Sequence, residues 1–101
     1  MVMELTIIPL GSGRSLSGAI ADLLKIIEGS GLDYRMTAFG TLMEGTWEEL
    51  LDIAKHCHFE MRGKCERVFT LMRLDDCGKR SGEIEGAVNR VEQKLGRAVS
   101  K

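Results

Sequence analysis

The stretch Ser30–Trp47, "SGLDYRMTAFGTLMEGTW", decides how this chain folds. Between residues 32 and 38, Leu32, Tyr34, Met36 and Ala38 alternate with Asp33, Arg35 and Thr37, the period-2 pattern of a strand. A tight connection at Phe39-Gly40 leads into a second short strand, about residues 40–44. Alternation there puts Leu42 and Glu44 on one face and Thr41 and Met43 on the other. Thr46 then caps a helix, with Glu49 three residues on completing a capping box. Two consecutive strands followed by a helix are the middle of a β-α-β-β-α-β order. The stretch also leaves a question. Glu44 is an acid at the end of an apolar strand, and the following helix does not need it.

Outward from this centre the pattern completes itself. Residues 2–9 form a first strand ending at Pro9, with Met3, Leu5 and Ile7 opposite Val2, Glu4, Thr6 and Ile8. Leu16, Ala19, Ile20, Leu23, Leu24 and Ile27 recur at helical spacing, with Ser15 as cap and "EGSG" as terminator. The second helix carries Trp47, Leu50, Leu51, Ala54, Cys57 and Met61 on one stripe. Residues 66–75, "ERVFTLMRLD", form the fourth strand, and a last helix from about Ser81 shows Ile84, Ala87, Val88, Val91 and Leu95. The expected fold is α+β and ferredoxin-like. A four-stranded antiparallel sheet has two helices on one face, an extra C-terminal helix follows, and residues 1–101 form a single domain.

The strands are apolar on both sides, since Val68 and Met72 alternate with Phe69 and Leu71, and Ile8 opposes Ile7. A sheet face left uncovered by the two helices is an association surface, so a homo-oligomer, dimer or tetramer, is expected. Thr6, Thr37 and Thr41 interrupt these apolar surfaces and are candidates to line a pocket.

Composition narrows the partners. Of 101 residues, 44% are hydrophobic and 29% charged, with a formal net charge of −1. A nucleic-acid surface needs a basic excess that this balance lacks. No apolar run approaches the roughly 20 residues of a membrane span. "MVMELTIIPL" has neither the basic n-region nor the cleavage site of a signal peptide. A cytoplasmic location follows, with Cys57, Cys65 and Cys77 as reduced thiols.

Other motifs weaken on inspection. "PLGSGRSLSG" lies where a phosphate loop would, but Leu16 stands where G-x-G-x-x-G needs glycine, and no Lys-Ser follows. A glycine turn capped by Ser15 is the simpler reading, with Arg14 as an anion contact the alternative. In "KHCHFE", His56 and His58 lie about 200° apart around a helix, so they cannot share one metal ion. No nucleophile elbow is present. Trp47 reads as a core or interface anchor. Arg73, read on a central strand, would want a partner if buried. Glu44 is exposed, paired with Arg35 or Arg73, or the acceptor in a pocket.

These residues resemble a family. "IIPLGSG", "SGLDYRMTAFGTLMEGTWEELLDIAK" and the later G-K-C-E-R-V are similar to the small thiamine-binding proteins related to YkoF, over nearly the whole chain. The shared pattern falls on Ser30-Gly31-Leu32 with Tyr34, on Gly40-Thr41 with Glu44-Gly45 and Trp47, and on Arg67-Val68. Met43 stands where the family more often has Ile or Val. The resemblance implies a ferredoxin-like protomer and a sheet-packed dimer or tetramer. It also implies binding of thiamine or its hydroxymethylpyrimidine part; the expected function is non-catalytic binding at or near a subunit interface, with no cofactor and no metal. It places Thr41, Glu44 and Gly45 in the motif. Glu44 would accept from the aminopyrimidine, Thr37 or Thr41 would add neutral hydrogen bonds, and Met43 and Trp47 apolar contact. Two alternatives stand beside it: an ACT-like regulatory ligand sensor, and a small ferredoxin-like enzyme acting on a heterocyclic substrate.

Overall fold

Each expected strand and helix is present in the computed structural model, which describes residues 1–11, 16–76, 78 and 81–100, Leu16 by its backbone alone. The order is β1 (Val2–Leu10), α1 (Leu16–Gly29), β2 (Asp33–Met36), β3 (Thr41–Glu44), α2 (Trp47–Arg62), β4 (Arg67–Asp75) and α3 (Glu83–Leu95). The Ser15 cap, the Arg14 contact and Cys77 lie outside the described residues.

The four strands form one antiparallel sheet in the order β2-β3-β1-β4, the ferredoxin-like arrangement. Alternation becomes two chemically different faces. Met3, Leu5 and Ile7 of β1 and Met43 of β3 turn inward beneath α1 and α2. They meet Ala19, Leu23 and Ile27 from α1 and Leu50, Ile53, Ala54, Cys57 and Met61 from α2 in one buried cluster. Each large side chain removed from water there contributes about 1.5–3 kcal/mol. Val2, Glu4, Thr6 and Ile8 face the opposite, open side with Leu42 and Glu44.

The capping box of α2 is as read: Thr46 accepts from Glu49 N–H at 3.2 Å, and Glu49 accepts from Thr46 N–H at 3.0 Å. The buried stripe differs from expectation, with Ile53 in it and Leu51 only partly buried. Trp47 is 51% exposed, because nothing in the described chain covers the helix's first turn.

Three further differences bear on function. β2 stops at Met36 because Thr37 folds the turn. Its hydroxyl donates to Gly40 O at 2.7 Å and accepts from Phe39 N–H and Gly40 N–H, each at 3.2 Å. β4 is an edge strand rather than a central one. Its Arg73 is exposed and reaches back to Glu4 on β1 at 2.9 Å. α3 begins at Glu83, after Gly82 in the left-handed region. Its Val91 and Leu95 are half exposed. The radius of gyration, 15.0 Å, exceeds the roughly 13 Å of a compact chain this long. No helix among the described residues is long and apolar enough to cross a membrane.

Candidate functional site

β1 has nine residues and β3 only four, so β3 leaves β1 unaccompanied beyond Leu5↔Thr41. The space where β3 would have continued is a cavity of about 180 Å³. Leu23, Leu24 and Ile27 of α1 form one wall, Ile7 and Thr41 the floor, and the Met36–Gly40 turn the other side. Apolar cavities of about 150 Å³ accept a benzene-sized ring. No charged side chain among the described residues lines this one.

The three threonines proposed for a pocket all line this cavity, yet they do different work. Thr6 Oγ1 donates to Phe39 O at 2.7 Å, and Thr37 is spent on the turn. Both hold the cavity's shape. Thr41 is nearly buried, and none of the hydrogen bonds among the described residues uses its hydroxyl. That hydroxyl is the polar group free to meet a ligand. Gly40 makes room beside it. A Cβ on Gly40 would lie 2.5 Å from Thr6 Oγ1 and 2.9 Å from Leu5 O, with φ at +157°. Phe39 stands at the mouth, 83% exposed. Sequence reasoning passed over Phe39. Its signal was an aromatic next to a glycine in a turn too short to bury it.

Glu44 sits elsewhere. Three residues along β3 carry it roughly 10 Å from Thr41 and onto the open face. Its Oε1 accepts from the N–H of Ile84 at 3.2 Å. The first turn of α3 needs such an acceptor, because Gly82 at its N-cap has no side chain to offer. Glu44 caps a helix 40 residues further along the chain. The expected pairing of Glu44 with Arg35 or Arg73 is not the one found: Arg35 approaches Glu85 at 3.5 Å, and Arg73 holds Glu4. Glu44, Asp33, Arg35 and Glu85 border a polar groove of about 360 Å³ with Tyr34, Gly82 and Ile84. Loss of surrounding water and the carboxylate of Glu28 hold the Tyr34 hydroxyl above its ordinary pKa.

The remaining nominated residues join neither place. Met43 is wholly buried in the core. Gly45 donates to Met1 O at 3.0 Å, and a Cβ on it would meet Leu32 at 3.2 Å and Glu49 at 3.3 Å. The "KHCHFE" groups also diverge. Cys57 lies in the core, where burial and then the charge of Glu60 push its thiol up to about 11. His58 meets Thr70 Oγ1 at 2.6 Å, while His56 borders a depression between α1 and α2. Among the described residues no three His, Cys, Asp or Glu side chains converge as a metal site would require.

A sequence model of the family described as thiamine-binding protein matches residues 3–92. A UPF0045 protein of Staphylococcus xylosus is 32% identical over 100 residues, covering 93% of this chain and 94% of its own. One from Methanothermobacter thermautotrophicus is 30% identical over 95 residues, covering 91% and 96%. The crystal structure of the Methanocaldococcus jannaschii member superposes with a TM-score of 0.77 at 28% identity, covering 94% of each chain. A Thermotoga maritima protein described as a candidate for thiamine biosynthesis or salvage shares the fold. Its TM-score is 0.68 at 18% identity, over 85% of this chain and 94% of its own.

Proposed function

This chain belongs to the thiamine-binding protein family, and we propose that it binds thiamine or its hydroxymethylpyrimidine part without transforming it, the ring lying in the cavity beside Thr41. The observation that carries this reading is a ring-sized apolar cavity lined by the nearly buried Thr41, whose hydroxyl no hydrogen bond among the described residues uses. A neutral aminopyrimidine suits it. The ring gains burial against Leu23, Leu24 and Met36, and its amino group donates to Thr41 Oγ1 for about 0.5–1.5 kcal/mol. The thiazolium of thiamine, a fixed cation, is unwelcome among uncharged walls. It remains at the mouth, where the face of Phe39 favours a positive charge.

Glu44 then serves the fold rather than the ligand, which departs from what the motif alone suggests. The reading also includes self-association, because Phe69 and Leu71 leave the open sheet face apolar and half exposed. A cytoplasmic setting accords with Cys57 and Cys65, both free thiols. Isothermal titration with hydroxymethylpyrimidine and with thiamine tests the reading, with chromatography of the ligand afterwards. Saturable binding of both with full recovery of unchanged ligand is expected. No binding of either, or appearance of a product, overturns it.

A further inference from the structure

The six methionines of the chain divide by exposure. Met3, Met43 and Met61 are wholly buried and Met1 is partly buried, whereas Met36 and Met72 are 54% and 47% exposed. An oxidant in solution reaches these last two thioethers first. Met72 lies on β4, at the opposite edge of the sheet from β2. Met36 ends β2, lines the ring-sized cavity, and is the direct cross-strand partner of Thr41. Side chains so paired share a face, with their Cβ atoms about 4.5–5.5 Å apart. The exposed thioether and the cavity hydroxyl that no hydrogen bond among the described residues uses therefore belong to neighbouring side chains.

We infer that Met36 is a modification site, at which oxidation to the sulfoxide closes the cavity to its ligand. The ligand's identity rests on the proposed function; the closure rests on the cavity alone. The oxidant is hydrogen peroxide or another peroxide. A sulfur lone pair attacks one peroxide oxygen and the O–O bond breaks. The oxygen now on sulfur gives up its proton, and the other leaves as water. Sulfur loses two electrons and the peroxide gains them. The product puts a strongly polar S–O group where the cavity had an apolar wall. Two consequences act in one direction. An uncharged ring loses an apolar contact and must strip water from a polar group to enter. The sulfoxide oxygen also accepts from the Thr41 hydroxyl, which holds it over the space that the ring would fill. Enzymatic reduction returns the thioether, so the change is reversible. Met36 shares the helix side with Thr41 and Leu5, so association through the open face leaves it within reach of the oxidant.

Dilute hydrogen peroxide, followed by dithiothreitol to reverse thiol oxidation while leaving sulfoxides, tests this. Peptide mass mapping over time is expected to show Met36 and Met72 oxidised well before Met3, Met43 and Met61. Hydroxymethylpyrimidine binding is then measured by isothermal titration. Benzene, a probe that needs no hydrogen bond, is followed through the NMR shifts of the Leu23 and Leu24 methyl groups. Peroxide is expected to weaken both roughly 10-fold or more in the wild type and in Met72→Leu. Met36→Leu, compared with itself before and after peroxide, is expected to bind each equally. Methionine sulfoxide reductase is expected to restore the wild type. A reduced wild type that takes benzene but not hydroxymethylpyrimidine defeats the proposed function, and the benzene arm then decides the closure. Met36 oxidised no faster than the buried methionines, benzene binding indifferent to peroxide, or a loss that persists in Met36→Leu overturns the proposal.

Discussion

The two ends of β3 are three residues apart and have opposite fates. At the Thr41 end β1 runs on past the end of β3, and the shortfall becomes a cavity lined by no charged side chain among the described residues. At the Glu44 end a helix from the far end of the chain arrives, and the acid is consumed in capping it. Gly-Thr-x-x-Glu-Gly reads in sequence as one site. A strand's period of two puts its Thr and Glu on different faces, and its rise puts them roughly 10 Å apart. What differs between the ends is what the rest of the chain supplies: missing strand at one, an orphaned helix terminus at the other.

The sharpest way to break the contrast is to fill the cavity end. Gly40→Ala drives a Cβ against Thr6 Oγ1 and the Leu5 carbonyl. Strain of this kind costs about 1–3 kcal/mol, and a melting temperature lowered by roughly 4–20 °C is expected by calorimetry. An unchanged melting temperature with unchanged ligand binding would mean that the turn is free to move aside.

A control on the core beneath both ends comes from Cys57. Its thiol is raised from 9.0 to about 11 in the folded chain. The protonated form is the one the fold favours, so this stabilisation is complete below pH 9 and is lost as pH rises through 11, at about 1.4 kcal/mol per unit of difference. Denaturant titrations at pH 7 to 11 are expected to show the wild type losing more stability than Cys57→Ala over the upper two units. Parallel curves would mean that the thiol is as well hydrated as in the unfolded chain.

At the other end, Glu44→Ala removes the cap of α3, worth about 0.5–2 kcal/mol. Hydrogen exchange is expected to quicken at Ile84 and its neighbours in the first turn of α3, with the amides of β1 unaffected. Equal quickening throughout would make α3 an integral part of the cooperative unit, not an appended helix.

Much of this fold was legible because its signals are local. Period-2 alternation at 2–9 and 66–75, helical spacing in α1 and α2, and the Thr46–Glu49 capping box each depend on residues within one turn or one strand. What the sequence withheld was long-range. The Glu44–Ile84 contact joins residues 40 apart, and nothing near either announces it. The cavity exists because β1 outruns β3, and its other side is a turn the alternation hides, since Thr37 and Ala38 continue the period of β2 while the Thr37 hydroxyl closes the turn. Trp47 fitted the apolar stripe of α2 by spacing, but spacing does not reveal that no element reaches its turn. The threonines were legible as polar interruptions. Which one keeps its hydroxyl free was not, since that depends on carbonyls brought near by the fold.

The smallest expected effect decides the central claim, that the ligand's ring lies at the Thr41 end. Isothermal titration of hydroxymethylpyrimidine would be run against the wild type, Thr41→Val and Glu44→Gln. Valine keeps the shape of Thr41 and removes only the hydroxyl, so Thr41→Val is expected to weaken binding about 2- to 12-fold, the worth of one neutral hydrogen bond, while Glu44→Gln binds as the wild type does. The opposite result, binding lost in Glu44→Gln and unchanged in Thr41→Val, would move the site to the α3 groove and contradict this account.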